Sequence, residues 1–367
     1  MLHLTGDTGL PRLKKRSMNM IRIYGTLGPS CSNAEVLYRM FAEGMTGVRL
    51  NLSHVTLKDA AAQIEELHKA ADRAGVKTDL LIDMQGPELR TGVLSEPEEL
   101  TEGSEVLLYD KDGKAPNASS GASEASFAGA VPVPAIVLPY LVPGQQILID
   151  DGKLLLEVTG SEAQTSANVL RGGTLRSRKS MALPGTEIQP PTLTETDLIN
   201  IRDASAFGVT GLMQPFVRNA EDLKAVRKAL KEADAEHIRL LAKIENHQGT
   251  NHIRELLPHA DEFVIARGDL GNSMPLWELP AVQKTLAREI KTAGKDLMIV
   301  TQMLASMEHA AVPTRAEVCD IFNAVLDGAD SIMVTGETAV GEYPADVIRY
   351  LAKTAAEGER WRNSSKG

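Results

Sequence analysis

The chain of 367 residues carries 39 lysines and arginines against 49 aspartates and glutamates, a net charge of −10, and 43% of its residues are hydrophobic. That balance supports a sizeable core in two domains or one large one, excludes global disorder, and opposes unspecific attraction to nucleic acid or an anionic membrane. An anionic substrate must therefore meet a local basic pocket.

Residues 1–19 read as a flexible tail: Lys14, Lys15 and Arg16 are followed by no apolar stretch, so a secretory signal is not expected. No run approaches the ~20 apolar residues that cross a bilayer. The cysteines, Cys31 and Cys319, lie far apart in no metal-ligand spacing, which argues against a disulfide framework or a cysteine zinc site and fits a reducing cytoplasm.

From residue 20 short apolar runs of strand character recur at 21–26, 47–50, 79–83, 209–213, 239–243, 262–266, 297–301 and 331–335. Between them lie segments of helical period, among them 34–43, 57–74, 221–233, 277–293 and 315–327. Strand alternating with helix means parallel strands, and eight units predict an α/β fold of the (β/α)8 TIM-barrel type. A doubly wound open sheet has the same local periodicity. The interval 93–184 breaks the rhythm with short β-rich pieces at 105–109, 146–149, 154–159 and 167–170, a turn at Asp150-Asp151-Gly152, and an Ala/Ser/Pro-rich stretch at 115–134 that reads as flexible. The expected organisation is a barrel over 20–92 and 185–360, with 93–184 inserted after the third strand as a lid, and a second flexible tail at 361–367. An insertion there sits at the C-terminal rim, where barrel active-site loops belong.

The strand ends carry the polar residues. Arg49, Asn51 and Ser53 follow the second strand at spacing two, which puts them on one side of extended chain. Lys243 and Glu245 share a face after the fifth, where a structural salt bridge is the plain reading and a substrate pocket the sharper one. The sixth ends in Ala266-Arg267-Gly268-Asp269, whose glycine permits close ligand approach and whose aspartate adds a second carboxylate. Two carboxylates suit magnesium, which prefers oxygen ligands and is held by one or two acids together with substrate phosphates. Zinc is a poorer match, since no histidine pair has ligand spacing beside an acid. Thr301 and Thr335 end the seventh and eighth strands in hydroxyls, and Arg171, Arg176, Arg178 and Lys179 form a basic patch that is either a phosphate holder or a solvated charge run. Cations, a metal and one shared rim suggest phosphoryl transfer without a Walker motif.

These residues lie in longer runs: GTLGPS, EGMTGVRLNLSH, LLIDMQGPELRTG, IDDG, LAKIENHQG, ARGDLG, TQMLASM, PTRAEVCDIFNAVLDGAD and TGETAVGEYP, in this order across about residues 20 to 355. The set resembles the pyruvate kinase family, which transfers a phosphoryl group between phosphoenolpyruvate and ADP. The resemblance implies that Arg49 and Lys243 contact the transferring phosphate and that Glu245 and Asp269 bind Mg2+ or Mn2+. It implies that the backbone from Ala266 through Arg267 and Gly268 to Asp269 holds the substrate carboxylate together with the Thr301 hydroxyl. Asn51, Ser53, Asp83 and Met84 would form a K+ site, with Glu88 accompanying potassium dependence. His54, Arg90 and Lys179 would contact the nucleotide, and Thr301 and Thr335 would relay the proton that converts enolate to pyruvate. A cytoplasmic homo-oligomer assembled through barrel contacts is also expected, with no nucleic-acid or membrane partner.

The sequence departs from the family pattern in places. DTKGPE reads Asp83-Met84-Gln85-Gly86-Pro87-Glu88, without the lysine, and ASFIR reads Gln214-Pro215-Phe216-Val217-Arg218, without the serine. Thr335 replaces the usual serine and keeps a hydroxyl. The family's C-terminal domain has no counterpart in the sequence, so regulation by sugar phosphates is not expected. Two rivals remain: a metal-dependent lyase or decarboxylase acting on a 2-oxo acid through an enolate, and a non-catalytic homologue, against which the intact set of Arg49, Lys243, Glu245 and Asp269 argues.

Overall fold

Parallel strands that are apolar on both faces need a core inside and helices outside. The computed structural model describes residues 20–53, 55–113, 127–150, 152–160, 165–186 and 188–364, and it meets that need by closure. The eight barrel strands are Arg22–Thr26, Gly47–Asn51, Asp79–Asp83, Gly211–Gln214, Arg239–Ile244, Glu262–Ala266, Asp296–Val300 and Ser331–Met333. Each pairs in parallel with its neighbours in the chain, and the first pairs with both the eighth (Arg22 opposite Ser331) and the second (Tyr24 opposite Gly47). The barrel is therefore closed, and the open-sheet alternative is excluded.

Side chains alternate between two cores. Tyr24, Leu81, Met213, Leu241, Val264, Met298 and Met333 fill the interior, while outward residues such as Ile23, Val48 and Leu80 pack with Leu37, Leu67, Val226, Leu286 and Leu351 of the surrounding helices. At the end where the strands begin, ions plug the barrel: Arg22 reaches Glu262 and Asp296 at 3.1 Å each, and Arg239 reaches Glu262 at 3.1 Å and Asp79 at 3.0 Å. The chemistry is thereby left to the opposite rim.

Element ends shift where a local contact outcompetes periodicity. The expected helix at 57–74 begins only at Ala61 (Ala61–Ala74), because Thr56 bonds Asp59 in a turn and the Leu57 amide is taken by Asn200 Oδ1. The one expected at 277–293 spans Leu279–Thr292 with a proline in its first turn, leaving Trp277 outside and exposed. The helix Pro344–Ser364 runs through 361–364, which the sequence suggested as tail; 365–367 and the N-terminal tail lie outside the described residues.

The inserted β-rich domain holds a six-stranded sheet of Glu105–Asp110, Ala130–Val133, Gln146–Ile149, Leu154–Gly160, Ser166–Arg171 and Met181–Ala182, with Glu98–Leu100 paired to Gly173–Leu175 beside it. Ala130–Val133 corrects the reading of 115–134 as flexible throughout, residues 115–126 being outside the description. This strand sits at the sheet edge, where Pro132 lacks only an amide that pairing does not require, and it buries Val131 and Val133. The turn after Ile149 has Asp150 at φ 52° and Gly152 at φ 80°; Asp151 between them is not described.

The chain returning from the insertion is fixed to the barrel by a buried ion pair. The Arg218 guanidinium donates to Asp222 at 2.7 Å and 3.0 Å and to the Pro190 carbonyl at 2.9 Å, while the Thr192 hydroxyl donates to Asp222 at 2.6 Å. Burial pushes the Asp222 carboxyl up, but the Arg218 and Thr192 bonds outweigh it and hold it below the usual range. A carboxyl lowered in the fold stabilises above its unfolded pKa, and that contribution fades as pH falls through the folded value. Asp222→Asn is expected to cost about 3–5 kcal/mol at pH 7. In urea titrations the gap from wild type should narrow toward pH 3, and an undiminished gap there would contradict the ionic account.

Candidate active site

The strand ends expected to be functional meet in one cavity of about 320 Å³ at the C-terminal rim. Arg49, Asn51, Ser53, Asp83, Met84, Glu88, Arg90, Lys179, Lys243 and Asp269 line it. Barrel and insertion both contribute to its wall.

Its centre is a buried cluster of charges. The second strand delivers Arg49, the third Asp83, and the fifth Lys243 and Glu245. Arg49 donates through Nε to Asp83 Oδ2 at 2.8 Å, with its NH2 at 2.7 Å from the same oxygen, and Lys243 Nζ donates to that oxygen at 3.1 Å. Lys243 Nζ also lies 2.8 Å from Glu245 Oε1, as an ion contact rather than an aligned hydrogen bond. The remaining Glu245 oxygen accepts the Phe216 amide at 2.8 Å.

Ionisation follows from this geometry. Burial pushes the Asp83 carboxyl up, yet Lys243 and Arg49 together prevail and hold it below its ordinary value. For Lys243 burial disfavours the charge, but Asp83 and Glu245 overcome it and the ammonium keeps its proton more firmly than an ordinary lysine. Glu245 goes the other way. Burial first, then the nearby Asp269 and Asp83 charges, push it up to about 7 against the pull of Lys243.

Oxygens of three residues expected at the site are unsatisfied, and Gln214 Oε1 at the end of the fourth strand is a further one. Asp83 Oδ1, Ser53 Oγ and Glu245 Oε1 are buried side-chain atoms with no hydrogen-bond partner, a condition that native proteins seldom leave unexplained. Asp83 Oδ1 and Ser53 Oγ belong to the set expected around K+, and Glu245 Oε1 to the pair expected around a divalent ion. The residues present thus fit hard cations, which take oxygen ligands. Among the described residues no group of three or more His, Cys, Asp or Glu side chains is arranged to hold a metal.

Other expected residues stand elsewhere. Thr301 does not line the cavity; it sits against Gly268, where an added Cβ would come within 3.0 Å of Thr301 Cγ2. Its φ of 80° is rare for a β-branched residue, and Gln302 follows at 54°. Glu245, Ala266, Arg267 and Gly268 are also outside the cavity lining, and the Arg267 guanidinium turns to the Thr301 carbonyl at 2.7 Å and Asp320 at 2.7 Å. Thr335 is likewise outside the cavity lining, with its hydroxyl 3.3 Å from Glu337 Oε2 and its amide donating to that oxygen at 2.6 Å. Arg90 donates to Glu88 at 2.8 Å and to the Arg178 carbonyl at 2.8 Å, and Lys179 pairs with Asp150 at 2.8 Å. His54 lies outside the described residues.

Sequence reasoning missed Asp150, Ser177, Ser180 and Phe216 in the wall, which also includes Arg178 of the basic patch and Pro215 of the altered motif. Phe216 acts through its amide at φ 50°, for which no side-chain signal exists. The two departures lie close by. Pro215 packs over Gly86, whose added Cβ would fall 2.6 Å from the proline ring, and Gln85 is held by its backbone amide, 2.9 Å from Asp197 Oδ1.

The family model described as the barrel domain of pyruvate kinase matches residues 18–348. The pyruvate kinase of Geobacillus stearothermophilus is 35% identical over 347 residues, 92% of this chain and 57% of the relative. Those of Aeropyrum pernix and Leishmania mexicana are each 34% identical over 92% of this chain, covering 70% and 67% of their own lengths. The chain thus spans a little over half the length of the first of these. No helix among the described residues is long and apolar enough to cross a membrane.

A divalent ion held by Glu245 and Asp269, as the sequence leads one to expect, would compete with a proton for Glu245, whose carboxyl is pushed up to about 7. Mn2+ affinity, measured by electron paramagnetic resonance of the free ion, is expected to fall about tenfold per unit below pH 7 and to level off above it. Glu245→Gln should bind weakly at every pH; a flat wild-type profile from pH 8 to 6 would rule out this ligand.

Proposed function

This chain belongs to the pyruvate kinase family, and from that premise we propose that it transfers a phosphoryl group from phosphoenolpyruvate to ADP, giving pyruvate and ATP, with Mg2+ or Mn2+ and K+ as cofactors. The observation that carries the reading is the Arg49–Asp83–Lys243 cluster, two cations fixed on one buried oxygen beside unsatisfied oxygens of Ser53, Asp83 and Glu245.

In this mechanism Lys243 and Arg49 face the transferring phosphoryl group and stabilise charge as it spreads over the equatorial oxygens. Because Asp83 already orients them, no reorganisation is needed when that charge develops. Glu245 and Asp269 hold the divalent ion, which when bound supplies Lewis-acid neutralisation of phosphate and enolate charge. Asn51, Ser53, Asp83 and Met84 take the monovalent cation. The backbone from Ala266 to Asp269 with Thr301 orients the carboxylate, and Arg90 and Lys179 meet the nucleotide phosphates together with His54. A proton then reaches the enolate carbon by way of the Thr301 and Thr335 hydroxyls. Assembly through the barrel helices and residence in a reducing cytoplasm complete the proposal. The free thiols of Cys31 and Cys319 support the latter.

A coupled assay of pyruvate formation tests the reaction. Turnover should require ADP together with both cations; pyruvate released from a 2-oxo acid without nucleotide would instead indicate the lyase. Lys243→Met is expected to lower phosphoryl transfer by about 10³-fold. Its Mn2+ affinity should be largely retained. Near-normal transfer by this variant would remove Lys243 from the mechanism.

A further inference from the structure

The insertion hangs on two chain segments that cross at the barrel rim. Outgoing residues 89–92 pair with returning residues 178–181 through Met181 N to Leu89 O at 2.8 Å, Thr91 N to Lys179 O at 2.8 Å and Arg178 N to Gly92 O at 3.0 Å. That ladder joins the segments to each other but not to the barrel. Beneath it stands Asp197, fully buried in the first turn of the helix Glu195–Ala204.

Helix capping accounts for part of what its carboxylate does. Thr194 and Asp197 form a capping box, with Asp197 N donating to Thr194 Oγ1 at 3.1 Å and Thr194 N donating to Asp197 Oδ2 at 2.8 Å. Two further donors come from outside the helix: Gln85 N reaches Asp197 Oδ1 at 2.9 Å and Gly86 N reaches Asp197 Oδ2 at 3.0 Å. One carboxylate therefore collects three main-chain amides, two from the chain leading out to the insertion and one from the N-cap of its own helix. Gly86 stands at φ 58°, a conformation that favours glycine, against Pro215, where an added Cβ would fall 2.6 Å from the proline ring. Two residues on is Glu88, and then Arg90, both in the cavity wall.

We propose that Asp197 is a positioning residue that clamps the outgoing connection of the insertion to the barrel rim and thereby sets where Glu88 and Arg90 stand in the cavity. The clamp engages main-chain amides alone, so the glutamine at position 85 leaves it intact. A charged acceptor bonded to buried amides is among the stronger hydrogen-bonded arrangements, and Asn at this position has one oxygen to offer in place of two.

Two measurements test it. In wild-type hydrogen exchange resolved to single amides, Gln85 and Gly86 should be protected like the barrel strands; exchange at open-loop rates would overturn the clamp without any variant. In Asp197→Asn these two amides should exchange at least about tenfold faster, with the strands Asp79–Asp83 and Gly211–Gln214 unmoved. Thr194→Ala, which removes only the cap hydroxyl, should leave both amides protected. Acceleration spread evenly over the barrel would make Asp197 merely structural and sink the proposal.

The kinetic arm rests on the reading of Arg90 as a nucleotide contact. Asp197→Asn should raise the KM for ADP about tenfold with the Mn2+ affinity unchanged, and an equal loss in all parameters would count against the clamp. Failure of the wild type to use ADP would refute the proposed reaction and leave the exchange test standing.

Discussion

Everything at the C-terminal rim depends on one oxygen atom. Asp83 Oδ2 receives both Arg49 and Lys243 inside a nearly dry barrel mouth. An isolated ammonium could not remain charged there. Paired with Asp83 and Glu245, Lys243 instead holds its proton more firmly than in water. In a chain with a net charge of −10, two cations are thereby fixed side by side at this rim, both held by the same carboxylate. Replacing that partner would release two long side chains at once, which is why Asp83 matters even apart from any cation it binds.

Strain accompanies the charges. Phe216 at the end of the fourth strand, and Thr301 and Gln302 after the seventh, adopt left-handed backbone without being glycine. Such residues cost about 1–3 kcal/mol each and persist only where surrounding bonds over-determine them. Here the bonds are visible: Glu245 takes the Phe216 amide, and Arg267 takes the Thr301 carbonyl. The acid expected to bind metal is thus the same acid that holds a strained loop, and the arginine beside the second acid holds the other.

The barrel was legible because each strand is apolar toward two cores, a pattern that survives any uncertainty about register. Helix starts were less so, since Thr56 with Asp59 and the proline after Leu279 act over one turn, below the reach of periodicity. The strand Ala130–Val133 was hidden by its proline and by the alanine- and serine-rich sequence before it. In the cavity, side-chain chemistry at strand ends was readable for Arg49, Lys243, Glu245 and Asp269. Contributions through the main chain were not: nothing in the letters marks the Phe216 amide, the Arg178 carbonyl that meets Arg90, or the two amides gathered by Asp197. A capping box was the only trace of that last residue, and it signals a helix start rather than a hinge.

The two ends of the barrel are built from the same residue types, and the difference between them separates a structural network from a functional one. At the strand starts, Arg22, Arg239, Asp79, Glu262 and Asp296 interlock, and none of the described buried side-chain atoms lacking a hydrogen bond lies among them. At the strand ends, Ser53 Oγ, Asp83 Oδ1 and Glu245 Oε1 all lack one. Counting salt bridges would not distinguish the two ends. Unsatisfied oxygens do, because a buried oxygen without a hydrogen bond calls for an explanation and a bound cation supplies one. Ser53 Oγ and Asp83 Oδ1 on the cavity wall, with Glu245 Oε1 next to Lys243, lie beside two cations that one carboxylate already orients, and together they describe a site arranged around ligands it does not itself supply.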